Sequence, residues 1–163
     1  MTPTFHDAIA AGYRMAGQLI HRMTHDLTPD EFRHQPVPGS NSAAWVVGHL
    51  AVTLWRTADR LGAADLAPLP PGLLDTFTQT GKPAGDQSAV GDTAELLALF
   101  DACLAKVIEV IPAIPAAKLT EPATRPGPAT TYGEGVLFGA LHIAMHTGQL
   151  SLVRRSLGKP PVV

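Results

Sequence analysis

Prolines in this chain are confined to a few clusters, and their distribution limits what the chain can fold into. Beyond Pro3 they fall within 29–38, 68–83, 112–128 and 160–161. A proline inside a helix removes a hydrogen bond and clashes with the preceding turn, so these clusters are predicted to be connectors. The long segments between them are almost free of proline and can form helices.

Each of these four segments has the features of an amphipathic helix with its own start and stop signals. In the third, Asp92 can cap the start, apolar residues recur at helical spacing, and Pro112 ends the pattern. Thr28, Pro29 and Glu31 predict a further short helical turn, because they form a capping box with proline at the first position. The long helices are predicted at about 4–27, 41–61, 92–111 and 131–157.

The predicted fold class is therefore all-α, a four-helix bundle. No window alternates apolar and polar residues as a half-buried strand would. The connectors at about 62–91 and 112–130 are long enough to cross between distant helix ends, so long crossover connections are predicted. A length of 163 residues without internal repeats predicts a single domain that spans residues 1–163.

Composition narrows the classes of partner. The formal net charge is −2 and no basic patch is evident, so no nucleic-acid partner is expected. No signal peptide and no long uninterrupted apolar run is visible, so no membrane partner is expected either. The single cysteine, Cys103, excludes a disulfide framework and a cysteine-rich zinc module, and it fits a reducing cytoplasm.

Two of the seven histidines occupy the centre of the apolar face of the last predicted helix. His142 and His146 are one turn apart, and Gln149 falls close to them around the helix axis. The spacing alone is a weak signal, whereas the position on a core-facing stripe is informative. Burying these groups without partners would cost on the order of a few kcal/mol, so a shared metal ion is a reasonable partner.

The same helical projection assigns the other residues of this helix to faces. Apolar residues are expected to flank the histidines and contact the core, and a polar arc is expected to lie opposite, in solvent. The flanking set is Phe138, Leu141, Ile143, Met145, Leu150, Leu152 and Leu157; the polar arc is Thr147, Ser151, Arg154 and Arg155.

His49 is the third candidate ligand. It lies in the middle of the second long helix, in an apolar context that includes Trp45. A lone histidine of this kind can be either a hydrogen-bonded core residue or a ligand, and the residues alone leave both interpretations open. His21 and His25 share the same spacing as the pair on the last helix, but they lie on a polar face and are expected to be solvated.

Three imidazoles from two helices would leave coordination positions open for water or substrate, which is typical of catalytic zinc sites. The sequence argues against two other bundle cofactors. A di-iron carboxylate centre needs two Glu-x-x-His pairs and the chain has only one, Glu31 and His34, so that centre cannot be built; the Cys-x-x-Cys-His haem motif is absent.

Motifs along nearly the whole chain resemble those of the DinB/YfiT-like proteins, a family that includes bacillithiol- and mycothiol-dependent S-transferases. These motifs are Leu27-Thr28-Pro29-Asp30-Glu31-Phe32, Pro36-x-Pro38-Gly39, Trp45-x-x-Gly48-His49-Leu50, and His142-x-x-x-His146-x-Gly148-Gln149-Leu150 with Arg154 beyond. The last motif, combined with the distant His-Leu pair, is the most specific.

The resemblance implies a four-helix bundle in which His49, His142 and His146 bind one divalent metal ion, commonly zinc or nickel. It also implies a homodimer and a small-molecule substrate such as a low-molecular-weight thiol. All three metal positions of the family are matched in this sequence.

Several residues near the expected ligands are candidates for the pocket or for orienting the ligands. Gly135 and Gly139 could leave room for a ligand or allow close helix packing. Gln149 could orient a histidine or bridge two helices. Arg56 could bind a substrate carboxylate or form a surface ion pair, and Trp45 could support a substrate or pack in the core.

Three further residues have weaker roles in the prediction. Tyr13 could reach the pocket from the first helix, Glu134 is a minor candidate for a general base, and Cys103 is expected to be an inert buried thiol.

Three functions remain open from the sequence. The first is a metal-dependent enzyme of thiol S-transferase or hydrolase type. No catalytic serine motif, carboxylate pair or phosphate loop is present, so in such an enzyme the metal ion would have to carry the chemistry. The second is a non-catalytic stress-response metal-binding or interaction module, which a fourth protein ligand such as Glu134 would favour. The third is a metal-free bundle whose histidines are hydrogen-bonded in the core.

Overall fold

The computed structural model of the chain describes residues 2–78, 91–124 and 127–162. These residues form helices and connecting segments, with one isolated bridge between Pro122 and Thr131. A 3-10 turn at Ile111–Ala113 directly follows the α-helix that ends at Val110. The α-helices are α1 (Phe5–Thr24), α2 (Pro29–Arg33), α3 (Ala43–Arg60), α4 (Leu73–Phe77), α5 (Thr93–Val110), α6 (Ala116–Leu119) and α7 (Tyr132–Ser156).

The four long helices and α2 start where polar side chains cap them. Thr28 and Thr131 form capping boxes with Glu31 and Glu134, so α2 and α7 each have two of their unpaired backbone donors satisfied. Ser42 accepts a hydrogen bond from the backbone at the start of α3. The four long helices and α2 agree with the sequence prediction, whereas α4, α6 and the 3-10 turn lie within segments that were predicted as connectors.

The long helices form two closely packed pairs, α1 with α7 and α3 with α5. α1 and α7 run parallel, because Gly12 lies against Ala140 in the middle of the pair and Met23 lies against Arg154 near its end. A Cβ at Gly12 would make an ordinary 3.5 Å contact with that of Ala140, so the two helices lie close together here without requiring glycine.

The pairs meet in an antiparallel sense. α3 runs against α7, since Asn41 contacts Gln149 whereas His49 contacts His142. α1 likewise runs against α5, in which Asp101 contacts His21 and Leu104 lies against Gly17. α3 and α5 must therefore be parallel neighbours, and the connection between them has to return along the length of the bundle.

The fold is an all-α four-helix bundle with long crossover connections, as the sequence predicted. Part of the predicted 62–91 connector, residues 79–90, lies outside the described residues. The rest of that connector is close to the core, because α4 packs against α3 and its Phe77 is only 2% exposed. The connector therefore covers part of α3, which matters for the site described below.

Arg154 was predicted to face solvent as part of the polar arc of α7. That prediction is wrong, because its side chain is buried at 2% exposure. Its guanidinium donates to both carboxylate oxygens of Asp26 and to the backbone carbonyls of Met23 and Pro160. The helical projection failed here because the end of α1 and the C-terminal segment fold over this side of α7. Arg154 thus joins three segments at one end of the bundle.

A second correction concerns the apolar residues that were predicted to flank the histidines toward the core. Leu141, Met145 and Leu152 are instead exposed, with 52%, 64% and 50% of their surfaces accessible. They lie at helical spacing on one side of α7, together with the exposed Gly148. We call these four residues the α7 apolar stripe.

Among the described residues, α7 is the one helix that is long and apolar enough to span a membrane by length and composition alone. Core helices of soluble proteins pass the same test, and α7 packs against both α1 and α3. This finding is weak evidence about membranes, and the sequence expectation of no membrane partner stays a prediction.

Candidate metal centre

The imidazoles of His49, His142 and His146 converge between α3 and α7. The Nε2 atom of His142 lies 3.5 Å from that of His49 and 3.2 Å from that of His146. One nitrogen from each ring lies within 4.8 Å of the other two. His146 is buried at 8% exposure, whereas His49 and His142 are half-buried. The structure therefore brings together all three predicted ligands.

The nitrogen separations fit a tetrahedral ion. Zinc–nitrogen bonds of about 2.0 to 2.1 Å in a tetrahedron place neighbouring ligand nitrogens roughly 3.3 to 3.4 Å apart. The two short separations, 3.5 and 3.2 Å, bracket that range. Three imidazole donors also suit zinc or nickel better than the hard cations that prefer oxygen.

The long connector fixes the orientation of His49. Its Nδ1–H donates to the backbone carbonyl of Phe77 at 2.8 Å, which leaves Nε2 as the free donor atom that faces the other histidines. The Phe77 ring packs on α3 where Gly48 has no side chain, since a Cβ there would overlap the ring. Trp45 stacks on the His49 imidazole with centroids 4.9 Å apart and planes 7° apart. Gly48, Trp45 and Phe77 together therefore hold His49 in one rotamer.

Gln149 orients His146 in a comparable way. Its Oε1 accepts from His146 Nδ1 at 3.2 Å and from the Asn41 side chain at 3.3 Å. Both sequence interpretations of Gln149 therefore describe real contacts, because it touches a histidine and also bridges α7 to the segment before α3. The Nε2 of His146 is left free to face His142.

Counting protons shows why hydrogen bonds alone do not satisfy the three rings. His49 and His146 carry their protons on Nδ1, so only His142 can place a proton among the three Nε2 atoms. One proton can serve only one of the two short nitrogen contacts, and the other contact then brings two lone pairs together. A cation shared by the three nitrogens satisfies all of them, which disfavours the metal-free bundle.

The surroundings of His142 and His146 favour the neutral form of both rings. Burial, followed by the charges of His142 and His49, lowers the pKa of His146 to about 4. Burial likewise lowers the pKa of His142, with a smaller contribution from His49. Neutral imidazole is the form that binds a metal ion, so His142 and His146 are in their binding form at neutral pH.

A cavity of about 530 Å³ opens beside His142. It extends between α3 and α7 toward the far end of the bundle, and the described residues that line it include Thr53, Arg60, Lys118 and Tyr132. Among the described residues, the group of close potential metal ligands contains no carboxylate or thiol. The arrangement therefore offers three protein donors and a neighbouring space from which another molecule can approach.

The remaining predicted pocket residues divide into those beside the cavity and those away from it. Gly135 lines the cavity, and a Cβ there would make only an ordinary 3.9 Å contact. Gly139 also lines it, but a Cβ there would overlap the Tyr13 hydroxyl, so close packing is its main requirement. Arg56 is exposed and is not among the residues that line the cavity.

Three weaker candidates have structural roles. Tyr13 is fully buried and donates to the backbone carbonyl of Val136 at 2.9 Å, so it packs behind Gly139 and does not line the cavity. Glu134 accepts hydrogen bonds from the Thr130 side chain and backbone, which lower its pKa and commit it to capping α7. Burial raises the pKa of Cys103 to about 11, as expected for an inert thiol.

Sequence reasoning missed Phe77, Arg60 and Lys118. Arg60 carried a usable signal, because it falls within about 20° of His49 around the axis of α3. Phe77 and Lys118 carried none, since each comes from a connector whose path over the bundle cannot be read from helical periodicity.

The fold and the site define a four-helix bundle with three histidines placed to hold a metal ion. The family model of the DinB superfamily matches residues 13–150, so the chain belongs to that superfamily. No curated protein matches the chain. The membership agrees with the resemblance drawn from the motifs, and a metal-associated family fits the geometry of the three imidazoles.

Proposed function

We propose that this protein is a metal-dependent enzyme of thiol S-transferase or hydrolase type that holds one divalent ion, zinc or nickel, at His49, His142 and His146. The observation that carries the proposal is the convergence of three free Nε2 atoms beside a cavity, with no carboxylate or thiol among the close described donors. Structural zinc sites use four protein ligands, whereas catalytic sites keep a position open.

The chain's own residues would prepare this site in advance of substrate binding. Phe77 and Gln149 fix which nitrogen of His49 and His146 is free, so little reorganisation accompanies metal binding. When bound, a divalent ion supplies a Lewis acid that favours thiolate or hydroxide over thiol or water near neutral pH. Three neutral imidazoles leave the full charge of the ion uncompensated, which favours an anionic fourth ligand.

The lining of the cavity favours the thiol reaction over hydrolysis. Among the described residues that line it there is no aspartate or glutamate that could act as a base toward bound water and carry its proton to the leaving group of a hydrolysed substrate. A thiol that ionises on binding needs no such base, because the thiolate is itself the nucleophile. We therefore propose a small-molecule thiol as co-substrate: its sulfur would form a bond to an electrophilic carbon as that carbon's bond to an anionic leaving group breaks, and the thiol proton would pass to solvent.

Cobalt substitution tests this proposal. The visible spectrum of cobalt-loaded protein is expected to change when bacillithiol, mycothiol or 2-mercaptoethanol is added, because sulfur ligation alters the cobalt absorption. Turnover of the thiol with a reactive electrophile should be lost in His142→Ala and kept in His21→Ala, whose ring is exposed and pairs with Asp101. A spectrum insensitive to thiols, with turnover of amide substrates, would favour the hydrolase; bound metal without any turnover would favour a non-catalytic stress-response module.

We also propose that the protein forms a homodimer through the α7 apolar stripe. Leu141, Met145 and Leu152 place three large apolar side chains at helical spacing in solvent, and Gly148 lets another helix approach closely. Sedimentation analysis should show a dimer that Met145→Glu dissociates. Val37→Glu, at another exposed apolar residue, should leave the dimer unchanged. A monomeric wild-type protein would refute this part.

We propose a cytoplasmic location, since low-molecular-weight thiols act in reducing compartments and the described chain has one buried, unpaired cysteine. Fractionation of cells that express the protein with its native termini would test this.

A further inference from the structure

The cavity beside His142 has an uneven distribution of charge along its length, which the metal site alone does not explain. At the end away from the histidines its described lining includes two cationic side chains, Arg60 of α3 and Lys118 of α6. The described lining contains no acidic residue. The walls between the two ends are formed by threonines and apolar side chains such as Val136 and Phe138.

The two ends of the cavity are well separated. Arg60 follows His49 by three turns of α3, about 16 Å along the helix axis. On the antiparallel α7, Tyr132 precedes His142 by about 15 Å along that axis. The two helices therefore give the same length independently, and the cavity is elongated between a histidine end and a cationic end.

The positive charges are held in place at that end. Lys118 Nζ lies 4.8 Å from the centroid of the Tyr132 ring, which keeps the ammonium group at the cavity edge. Arg60 donates to Thr57 Oγ1 at 3.0 Å, and both residues line the cavity.

We propose that this cavity binds an elongated small molecule by its anionic end, a carboxylate or a phosphate, which Arg60 and Lys118 bind while the other end lies beside His142. Apolar and hydroxyl-bearing walls fit a neutral middle portion. The assignment of the reacting end to the histidines rests on the proposed function, whereas the anion site at the opposite end stands on the cavity alone.

Binding to metal-free protein tests the anion site without any chemistry at the histidines. The probes are linear alkanoates of increasing chain length, the matching neutral amides, and the matching alkyl phosphates, titrated by calorimetry. A charged hydrogen-bonding partner should make the acid bind about tenfold more tightly than its amide. The phosphate series then distinguishes which anion the site prefers, and either preference supports the proposal.

Substitutions test which side chains cause the preference for the acid over the amide. Arg60→Gln and Lys118→Gln should each remove most of the preference for acid over amide, and the double variant should remove all of it. Arg56→Gln is the matched control, because it removes one positive charge from the same helix, outside the cavity. All three side chains are exposed, so the variants should keep the wild-type melting temperature. Equal binding of acid and amide, or a preference that survives in the double variant, would overturn the proposal.

A second series separates this inference from the proposed function. With cobalt-loaded protein, ω-mercaptoalkanoates should change the visible spectrum and should bind more tightly than their amides at one preferred chain length. If no thiol alters the spectrum but alkanoates still require Arg60 and Lys118, the anion site holds and the thiol reaction does not. If all thiols alter the spectrum equally, with or without the carboxylate, the anion site is wrong and the metal proposal holds.

Discussion

Replacing Gly48 by alanine tests the claim that the connector holds the metal site in place. The structure has no room for a Cβ at Gly48, because it would overlap the buried ring of Phe77. The ring cannot move freely, since it is 2% exposed and also packs edge-on against Trp45. Any displacement of Phe77 moves the carbonyl that accepts from His49 Nδ1.

The magnitude follows from two opposing effects. Overpacking a well-packed site costs about 1–3 kcal/mol, whereas alanine stabilises a helix interior by about 1 kcal/mol relative to glycine. We expect Gly48→Ala to lower the free energy of unfolding of the metal-free protein by about 1 kcal/mol. Gly135→Ala is the matched control, because a Cβ there would make only an ordinary 3.9 Å contact, and it should raise that free energy by up to about 1 kcal/mol.

The two variants should also differ in metal affinity. Loss of a partner that orients a ligand histidine weakens metal binding by roughly 10- to 100-fold. Urea unfolding of the metal-free proteins and competitive zinc titration against a chromophoric chelator measure the two quantities. If Gly48→Ala matches Gly135→Ala in both stability and zinc affinity, the connector does not support the site and the reasoning fails.

Other predictions concern the rest of the bundle. Arg154→Ala should lower the free energy of unfolding by about 3 kcal/mol, because it leaves Asp26 without its buried partner. Replacement of the exposed Arg155 by alanine should change that free energy by less than about 0.5 kcal/mol. Equal effects of the two variants in urea unfolding would contradict this prediction. The hydrogen bond from Arg154 holds the pKa of Asp26 below its ordinary value, so the carboxylate binds fewer protons in the folded state than in the unfolded state. The stabilisation from ionised Asp26 should therefore be present above about pH 4 and should disappear as the pH falls through the lowered pKa. Asp26→Asn should lack this part of the acid dependence in a pH series of melting curves. Cys103 should not react with a thiol-specific aromatic disulfide at pH 8 in the native protein, because burial raises its pKa to about 11, and it should react at once in urea; fast labelling of the native state would show that the thiol is accessible.

The sequence predicted the long helices well because their ends are defined by local chemistry. Polar side chains cap backbone donors within three residues at the starts of α3, α5 and α7 (Ser42, Asp92 and Thr131), and glycine or proline follows the ends of these helices (Gly62, Pro112 and Gly158). No distant contact is therefore needed to place these boundaries. The pairing of His142 with His146 is equally local, since it depends only on helical spacing.

The parts that could not be predicted depend on which elements lie beside each helix. A helical projection shows which residues share a face of one helix, but it does not show which of those faces packs against another element. Arg154 was predicted to face solvent and is buried, while Met145 was predicted to face the core and is exposed. The hydrogen bond from His49 to Phe77 joins a helix to a distant connector, and no local pattern encodes that contact.

The most direct test of the account is X-ray absorption spectroscopy at the zinc edge on untagged protein that has been reconstituted with zinc. The account predicts about one zinc per chain, with three imidazole nitrogens at about 2.0–2.1 Å and one further light atom that sulfur replaces when a thiol is added. His49→Ala, His142→Ala and His146→Ala should each disrupt this coordination, and His21→Ala should retain it. Zinc that remains fully coordinated in the His49→Ala protein, or a wild-type protein that retains essentially no zinc, would contradict the central claim.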